Sequence, residues 1–234
     1  MTRFIWLVTS NRTEKKAARL SDLNFVKSIN DRMEIITPLV QRAGKVLDLG
    51  VVESRRSRRA TELQLERHHS NLLFRQVCNL NANCLGVDID EEGIEMLKSQ
   101  GFNVKAADVV TMDLDEEFDT IVAGEIIEHL PNVGQFLENM RRHLSANGTL
   151  VITTPNPFYS KQAWKIWRYN RPQVHEEHTC WFDPITLCNL CRMSGLNPYE
   201  IYWVQPKSDW LKALPSRFKS YFSHSFMILA KPAA

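Results

Sequence analysis

Apolar residues along this chain alternate between a helical and a strand spacing. From Ser21 to Ala43 they recur at Leu23, Val26, Ile29, Met33, Ile36 and Leu39/Val40, a period that predicts one helix with a buried face. Lys45 to Leu49 is a short apolar run ending at Gly50 and reads as a buried strand. Thr61-x-x-Gln64 has the form of a capping box, so a helix carrying Leu65, Leu72, Leu73, Val77 and Leu80 is expected from about Thr61, leaving 51–60 as a long loop. Cys84 to Ile89 predicts a second strand, and Asp90-Glu91-Glu92 the capped, acidic start of a helix that stops at Gly101.

The alternation then repeats. Asn103–Ala107 and Asp119–Ala123 read as strands, Val133, Phe136, Leu137, Met140 and Leu144 line a helix, and Asn147-Gly148 turns into a strand over Thr149–Thr154. Tyr199–Val204 and Ser225–Ala230 supply two more. Seven strands interleaved with helices imply an α/β fold, a doubly wound and mainly parallel sheet with helices on both faces.

Composition narrows this picture. At 234 residues and 44% hydrophobic content the chain suits one domain with insertions. The expected division is an N-terminal extension and helix over 1–44, then one domain over 45–234 with a lid insertion at about 155–183 and a C-terminal insertion at about 205–223. A formal charge of +2 excludes a general polycation, although Arg55-Arg56-Ser57-Arg58-Arg59 is locally basic. Phe4–Val8 is far shorter than the ~20 residues that cross a bilayer, and five cysteines suit a reducing, cytoplasmic setting. Cys188 and Cys191 form a C-x-x-C inside a predicted helix, which favours buried packing over zinc or redox work.

In parallel sheets ligands bind beyond the carboxyl ends of the strands, so the residues at strand exits carry the functional question. Asp88 stands there with the helix cap already filled by Asp90, leaving its carboxylate free for vicinal hydroxyls such as a ribose offers. Asp108, at the next exit, could accept from an exocyclic amine; either residue could equally be a turn former.

Val46-Leu47-Asp48-Leu49-Gly50, Gly86-Val87-Asp88, Ala107-Asp108, Phe118-Asp119-Thr120-Ile121-Val122 and Leu144–Leu150 together resemble the successive motifs of class I S-adenosylmethionine-dependent methyltransferases. Glu125-Ile126-Ile127-Glu128-His129-Leu130, followed by Thr154-Pro155-Asn156-Pro157, is most similar to the branch containing ubiquinone-biosynthesis O-methyltransferases. The resemblance implies an S-adenosylmethionine site in which Asp48 and Gly50 face the methionine end, Asp88 the ribose and Asp108 the adenine, with Ile89, Val109 and Glu125 also among the cofactor-binding residues. One departure stands out: the family continues Gly-x-Gly where this chain has Val51-Val52-Glu53.

Glu125, Glu128 and His129 fall at i, i+3 and i+4, which on a helix places all three on one face at the strand exit. The resemblance associates this pattern with a divalent metal such as magnesium, held by Glu125, Glu128 and His129; the alternatives are helix capping and an acid–base role for His129. His178, in His175-Glu176-Glu177-His178 ahead of the Asp183-Pro184 helix start, is a second candidate base, against a packing role for either histidine.

Between Pro155 and Pro184, Phe158, Tyr159, Trp164, Trp167, Tyr169 and Trp181 mix with Lys161, Lys165, Arg168 and Arg171, which suits a lid over an acceptor or a half-buried helix. The segment from Trp210 to Phe222 could cover the core, form a dimer contact or make peripheral membrane contact. The expected activity is methylation of a small-molecule or glycan hydroxyl. A cofactor-binding but catalytically degenerate partner protein is the alternative from another class, and a nucleic-acid methyltransferase ranks below both, the basic residues being scattered.

Overall fold

The computed structural model describes residues 24–52, 73–172, 174–205 and 222–233. Eight strands form one sheet: β1 (Asn24–Ile29), β2 (Val46–Leu49), β3 (Cys84–Asp88), β4 (Val104–Ala106), β5 (Phe118–Gly124), β6 (Leu144–Pro155), β7 (Leu196–Val204) and β8 (Ser225–Pro232). Their order is β1-β7-β8-β6-β5-β2-β3-β4, and only β8 runs antiparallel to its neighbours.

Six helices are described: α1 (Met33–Arg42), α2 (Leu73–Leu80), α3 (Glu91–Ser99), α4 (Val133–His143), α5 (Ser160–Tyr169) and α6 (Pro184–Met193). Strand side chains alternate in direction, so neighbouring residues feed opposite cores. Val46, Val122 and Val151 join Ile36 and Val40 of α1, Phe74 and Val77 of α2, and Ile94 and Leu97 of α3. Leu47, Leu49, Ile121, Ala123, Leu150 and Ile152 join Phe136, Leu137 and Met140 of α4 and Leu187, Cys188 and Cys191 of α6. The sheet is thus covered on both faces, as expected for a doubly wound fold, and the C-x-x-C pair is core packing.

Two expectations are corrected. The single helix over Ser21–Ala43 is instead an edge strand, β1, followed by α1, and this strand raises the sheet from seven strands to eight. The break has a local cause: Glu34 Oε1 accepts the backbone N–H of both Asn30 and Asp31, and Asp31 Oδ1 accepts that of Met33, so helix starts only after this turn. Val26 and Ile29 fall in β1, which pairs parallel with β7. The predicted capping box at Thr61, the basic segment 53–59 and most of the C-terminal insertion lie outside the described residues.

Other signals hold locally. Asp90 caps α3 by accepting from Gly93 N at 3.1 Å, and Asp183 with Thr186 closes a capping box on α6 with Pro184 in its first turn. Asp119 Oδ2 accepts from Gly44 N and Lys45 N, tying the start of β2 to β5. Buried Asn139 and His143 of α4 satisfy the irregular chain after β4, Asn139 donating to Val109 O and Met112 O and His143 Nε2 accepting from Leu114 N.

Helix α2 approaches the sheet closely at Gly86, where an added Cβ would lie 2.6 Å from the Phe74 ring. Gly86→Ala is expected to lower unfolding free energy by about 1–3 kcal/mol, with part of the loss recovered in Gly86→Ala/Phe74→Leu, as read by urea denaturation.

Candidate active site

After β2 the chain builds outward through β3 and β4; after β5 it builds the other way through β6. A crevice therefore opens beyond the carboxyl ends of the neighbouring strands β2 and β5. It is a cleft of about 290 Å³ whose lining includes Arg32, Asp48, Gly50, Val52, Gly124 and Glu125. Both strand exits bend sharply, Gly50 at φ 72° and Glu125 at φ 53°. A Cβ at Gly50 would lie 3.2 Å from Ile126, so the two exits are in near contact. Glu125 holds a left-handed conformation without being glycine, and local strain of this sort gathers at functional sites.

Asp48, Gly50 and Glu125 are thus brought together as expected. Asp48 is buried, and Oδ2 lacks a hydrogen-bond partner among the described residues. Burial pushes its carboxyl up to about 7, against the opposing pull of the Leu49 backbone N–H and the Arg32 charge. Sequence reading missed Arg32 because it lies in the turn before α1, where a continuous helix was expected. Its guanidinium reaches toward Gly124, 4.0 Å from where a Cβ there would stand.

The other strand-exit acids have local duties. Asp88 was expected to be free, but Oδ2 accepts from Val52 N at 2.9 Å and Oδ1 from Asp90 N at 3.0 Å. It pins the loop leaving β2 and keeps only its remaining lone pairs for a ligand. This pinning also explains the valines. Val51 is buried in the core, and Val52 packs where Gly93 leaves room at the start of α3. Asp108 Oδ1 accepts from Val110 N at 2.8 Å, which makes it a turn former. Ile89 is exposed and Val109 buried, and neither they nor Asp108 line the cleft.

Glu125, Glu128 and His129 do not share a face, which corrects the helical reading. Only a 3-10 turn, Ile127–His129, forms here, and α4 starts later, after Asn132. With Glu125 in left-handed backbone ahead of that turn, the three side chains make separate contacts, although the Glu125 charge still acts on Glu128 and His129. Glu125 lines the cleft; Glu128 is buried and accepts the Thr154 hydroxyl proton at 3.0 Å; His129 meets His175 and His178. Burial pushes the Glu128 carboxyl up to about 7, against the Thr154 hydrogen bond.

The loop carrying His175 and His178 is tied to this turn. Thr179 donates to Glu128 O through N (2.8 Å) and Oγ1 (3.1 Å), and Oγ1 also approaches Leu130 O at 2.9 Å. The His129 and His178 rings then lie edge to face with centroids 4.6 Å apart. Burial and the neighbouring imidazoles hold both below the usual histidine value. His175 and His178 line a second pocket of about 140 Å³ with Asn156, Tyr159, Trp181 and His224. His224 went unnoticed in the sequence because nothing near it in the chain marks it; the β6–β8 pairing brings it there. Beside this pocket α5 buries none of its side chains, and Trp164 and Trp167 are 57% and 79% exposed.

Known proteins resemble this chain in sequence and fold. A family described as a methyltransferase domain matches residues 66–201. The ubiquinone biosynthesis O-methyltransferase of Bradyrhizobium diazoefficiens is 30% identical over 93 residues, 37% of this chain and 37% of its own length. That of Pelagibacter ubique is 29% identical over 91 residues, 36% of this chain and 38% of its own. The chain therefore spans little more than a third of these curated relatives. Among solved structures, an S-adenosylmethionine-dependent methyltransferase from Archaeoglobus fulgidus superposes with TM-score 0.59 at 18% identity, covering 86% of this chain and 91% of that one. The magnesium protoporphyrin IX methyltransferase of Synechocystis PCC 6803, with bound S-adenosylhomocysteine, gives 0.54 at 12% identity over 81% and 74%. These likenesses establish the class I methyltransferase fold.

Asp48 also makes stability depend on pH. Below about pH 4 it is protonated whether folded or unfolded; above that only the unfolded chain ionises, so stability falls as pH rises toward about 7. Asp48→Asn removes this loss. At about pH 8 the variant is expected to be more stable by a few kcal/mol, because each pH unit in which only the unfolded chain is ionised contributes about 1.4 kcal/mol. The difference vanishes below about pH 4, and thermal melts across pH check it.

Proposed function

The chain belongs to the methyltransferase-domain family, and from that premise we propose that it transfers the methyl group of S-adenosylmethionine to a hydroxyl of a small molecule or glycan. The observation that carries this reading is the cleft at the β2/β5 switch, where opposite charges sit side by side. The methionine end of the cofactor is a zwitterion beside a sulfonium. Asp48 and Glu125 suit its ammonium, and Arg32 its carboxylate. Bringing a cation against Asp48 supplies the partner that its buried Oδ2 lacks and favours its ionised form. Asp88, from beneath Val52, has lone pairs left for the ribose, with Ile89 next to it in the chain, and Asp108 with Val109 is assigned to the adenine, outside the cleft lining itself.

Methyl transfer is an in-line displacement, so alignment supplies much of the acceleration and a base helps when the acceptor is a hydroxyl. His129 and His178 fit that task because their lowered proton affinity keeps them neutral and able to accept a proton at neutral pH. His178 faces the 140 Å³ pocket, which we assign to the acceptor. The exposed aromatic and basic face of α5 suits a lid over a sugar or ring. A magnesium site of Glu125, Glu128 and His129 does not fit: Glu128 is buried against the Thr154 hydroxyl, and the ligand atoms that gather at His129 are those of His175 and His178. Five free thiols agree with a reducing compartment such as the cytoplasm, and among the described residues no helix is long and apolar enough to cross a membrane.

Calorimetric titration tests the cofactor step: S-adenosylmethionine is expected to bind, and absence of heat at millimolar ligand would sink the reading. Arg32→Ala should weaken binding by about tenfold or more, the size of one charge-assisted contact. For chemistry, His178→Ala or His129→Ala is expected to reduce turnover by about 10²–10⁴ while changing cofactor affinity little, in assays with methyl-labelled cofactor and cell extract. Binding without product in any acceptor screen would favour the degenerate-partner alternative instead.

A further inference from the structure

We propose that His129, His175 and His178 form a binding site for a late first-row divalent cation, with zinc as the reference ion. Among the described residues these three gather one ligand nitrogen each, all within 4.8 Å of one another. Tetrahedral zinc bound at 2.0–2.1 Å sets its nitrogens about 3.3 Å apart, so small rotations of the rings close the site. The donor set decides the ion: imidazole suits zinc, copper, nickel and cobalt, whereas magnesium demands oxygens.

The surroundings support ligation rather than accidental crowding. The His129 ring makes a hydrogen bond to the Glu177 backbone, the kind of outer contact that fixes a ligand's tautomer and orientation. His175 Nδ1 accepts the Glu177 backbone N–H at 3.4 Å and lies 3.8 Å from Glu177 Oε2, so Glu177 orients that ring too. His178 Nδ1 is sealed from solvent and has no hydrogen-bond partner among the described residues, a cost that metal ligation or a partner on the ring would offset. The Thr179 bonds to Glu128 and Leu130 hold the two chain segments together without the ion, so the site is preorganised.

Three protein ligands leave one tetrahedral position, and His175 and His178 both border the 140 Å³ pocket. This is the pattern of an open site, with the fourth place for a water or an oxygen-bearing ligand. Metal binding at these rings needs neither S-adenosylmethionine nor methyl transfer, so its test is separate from that of the activity proposed above; a ring nitrogen that ligates the ion is not available as a base, so the two roles exclude each other at His129 and His178 while methyl transfer itself requires neither.

The test uses the full chain, purified without a polyhistidine tag and stripped with chelator. Cobalt(II) is expected to bind one per chain with the visible ligand-field bands of a tetrahedral site, and zinc to displace it. Zinc should bind at least about a hundredfold more tightly than magnesium. His175→Ala, at an exposed loop position where folding is not at stake, should weaken zinc by about tenfold or more and abolish the cobalt bands, while Glu125→Gln leaves both unchanged. Circular dichroism verifies that each variant is folded. No stoichiometric cobalt or zinc binding, zinc binding unaffected by His175→Ala, or magnesium binding lost in Glu125→Gln would each overturn the proposal.

Discussion

Parallel pairing of β2 with β5, in register from Val46↔Thr120 to Leu49↔Ala123, is the constraint on which the rest of the molecule depends. Asp119 clamps the incoming ends of the two strands through Gly44 N and Lys45 N, and the register carries that alignment to the outgoing ends. Gly50 and Glu125 therefore leave the sheet level with one another. Neither can continue straight, because each strand must feed a helix on a different face; both adopt positive φ instead. The cleft is the space those two turns leave, and a one-residue slip would put Leu47 or Leu49 where Asp48 now faces it.

Two carboxyls next to this junction are kept in poor solvent. Asp48 and Glu128 both titrate near 7, burial being the largest cause in each case. At about 1.4 kcal/mol for each tenfold change in proton affinity, each raised value represents a few kcal/mol that the fold forgoes when the acid ionises. The two acids resolve this differently. Glu128 has the Thr154 hydroxyl as a donor, which makes it a brace between the 3-10 turn and β6. Asp48 has an open oxygen beside Arg32 and the cleft, so a cationic ligand group is the partner that lowers its cost. The same physical penalty is structural in one place and a source of binding selectivity in the other.

Most of the sheet was legible because strand residues obey a rule of near neighbours: apolar runs of four to seven positions, closed by Gly, Asp or Asn, are strands wherever they pack. What escaped was set by contacts distant in the chain or by one local turn. The period of three and four over 23–40 was present, yet the Asn30–Glu34 turn divided it, and Val26 and Ile29 went to a strand. That division also hid Arg32. Glu125, Glu128 and His129 have helical spacing, but spacing gives a shared face only if a helix forms, and the positive φ at Glu125 prevents it. The fate of Asp88 depended on Val52 N, 36 positions away, which no pattern in the chain announces.

The 3-10 turn links the two halves of the site. Its Glu128 carbonyl accepts from Thr179 and its Glu128 carboxylate from Thr154, so one residue holds the histidine loop on one side and the end of β6 on the other. Glu125, two residues before the turn, lines the β2/β5 cleft; His129, its last residue, faces the imidazole pair. Glu128 is buried, with its carbonyl and a carboxylate oxygen both bonded, so it fixes the turn against both neighbours. The cleft and the histidine cluster are therefore built on five consecutive residues, 125–129, and one turn sets the position of both.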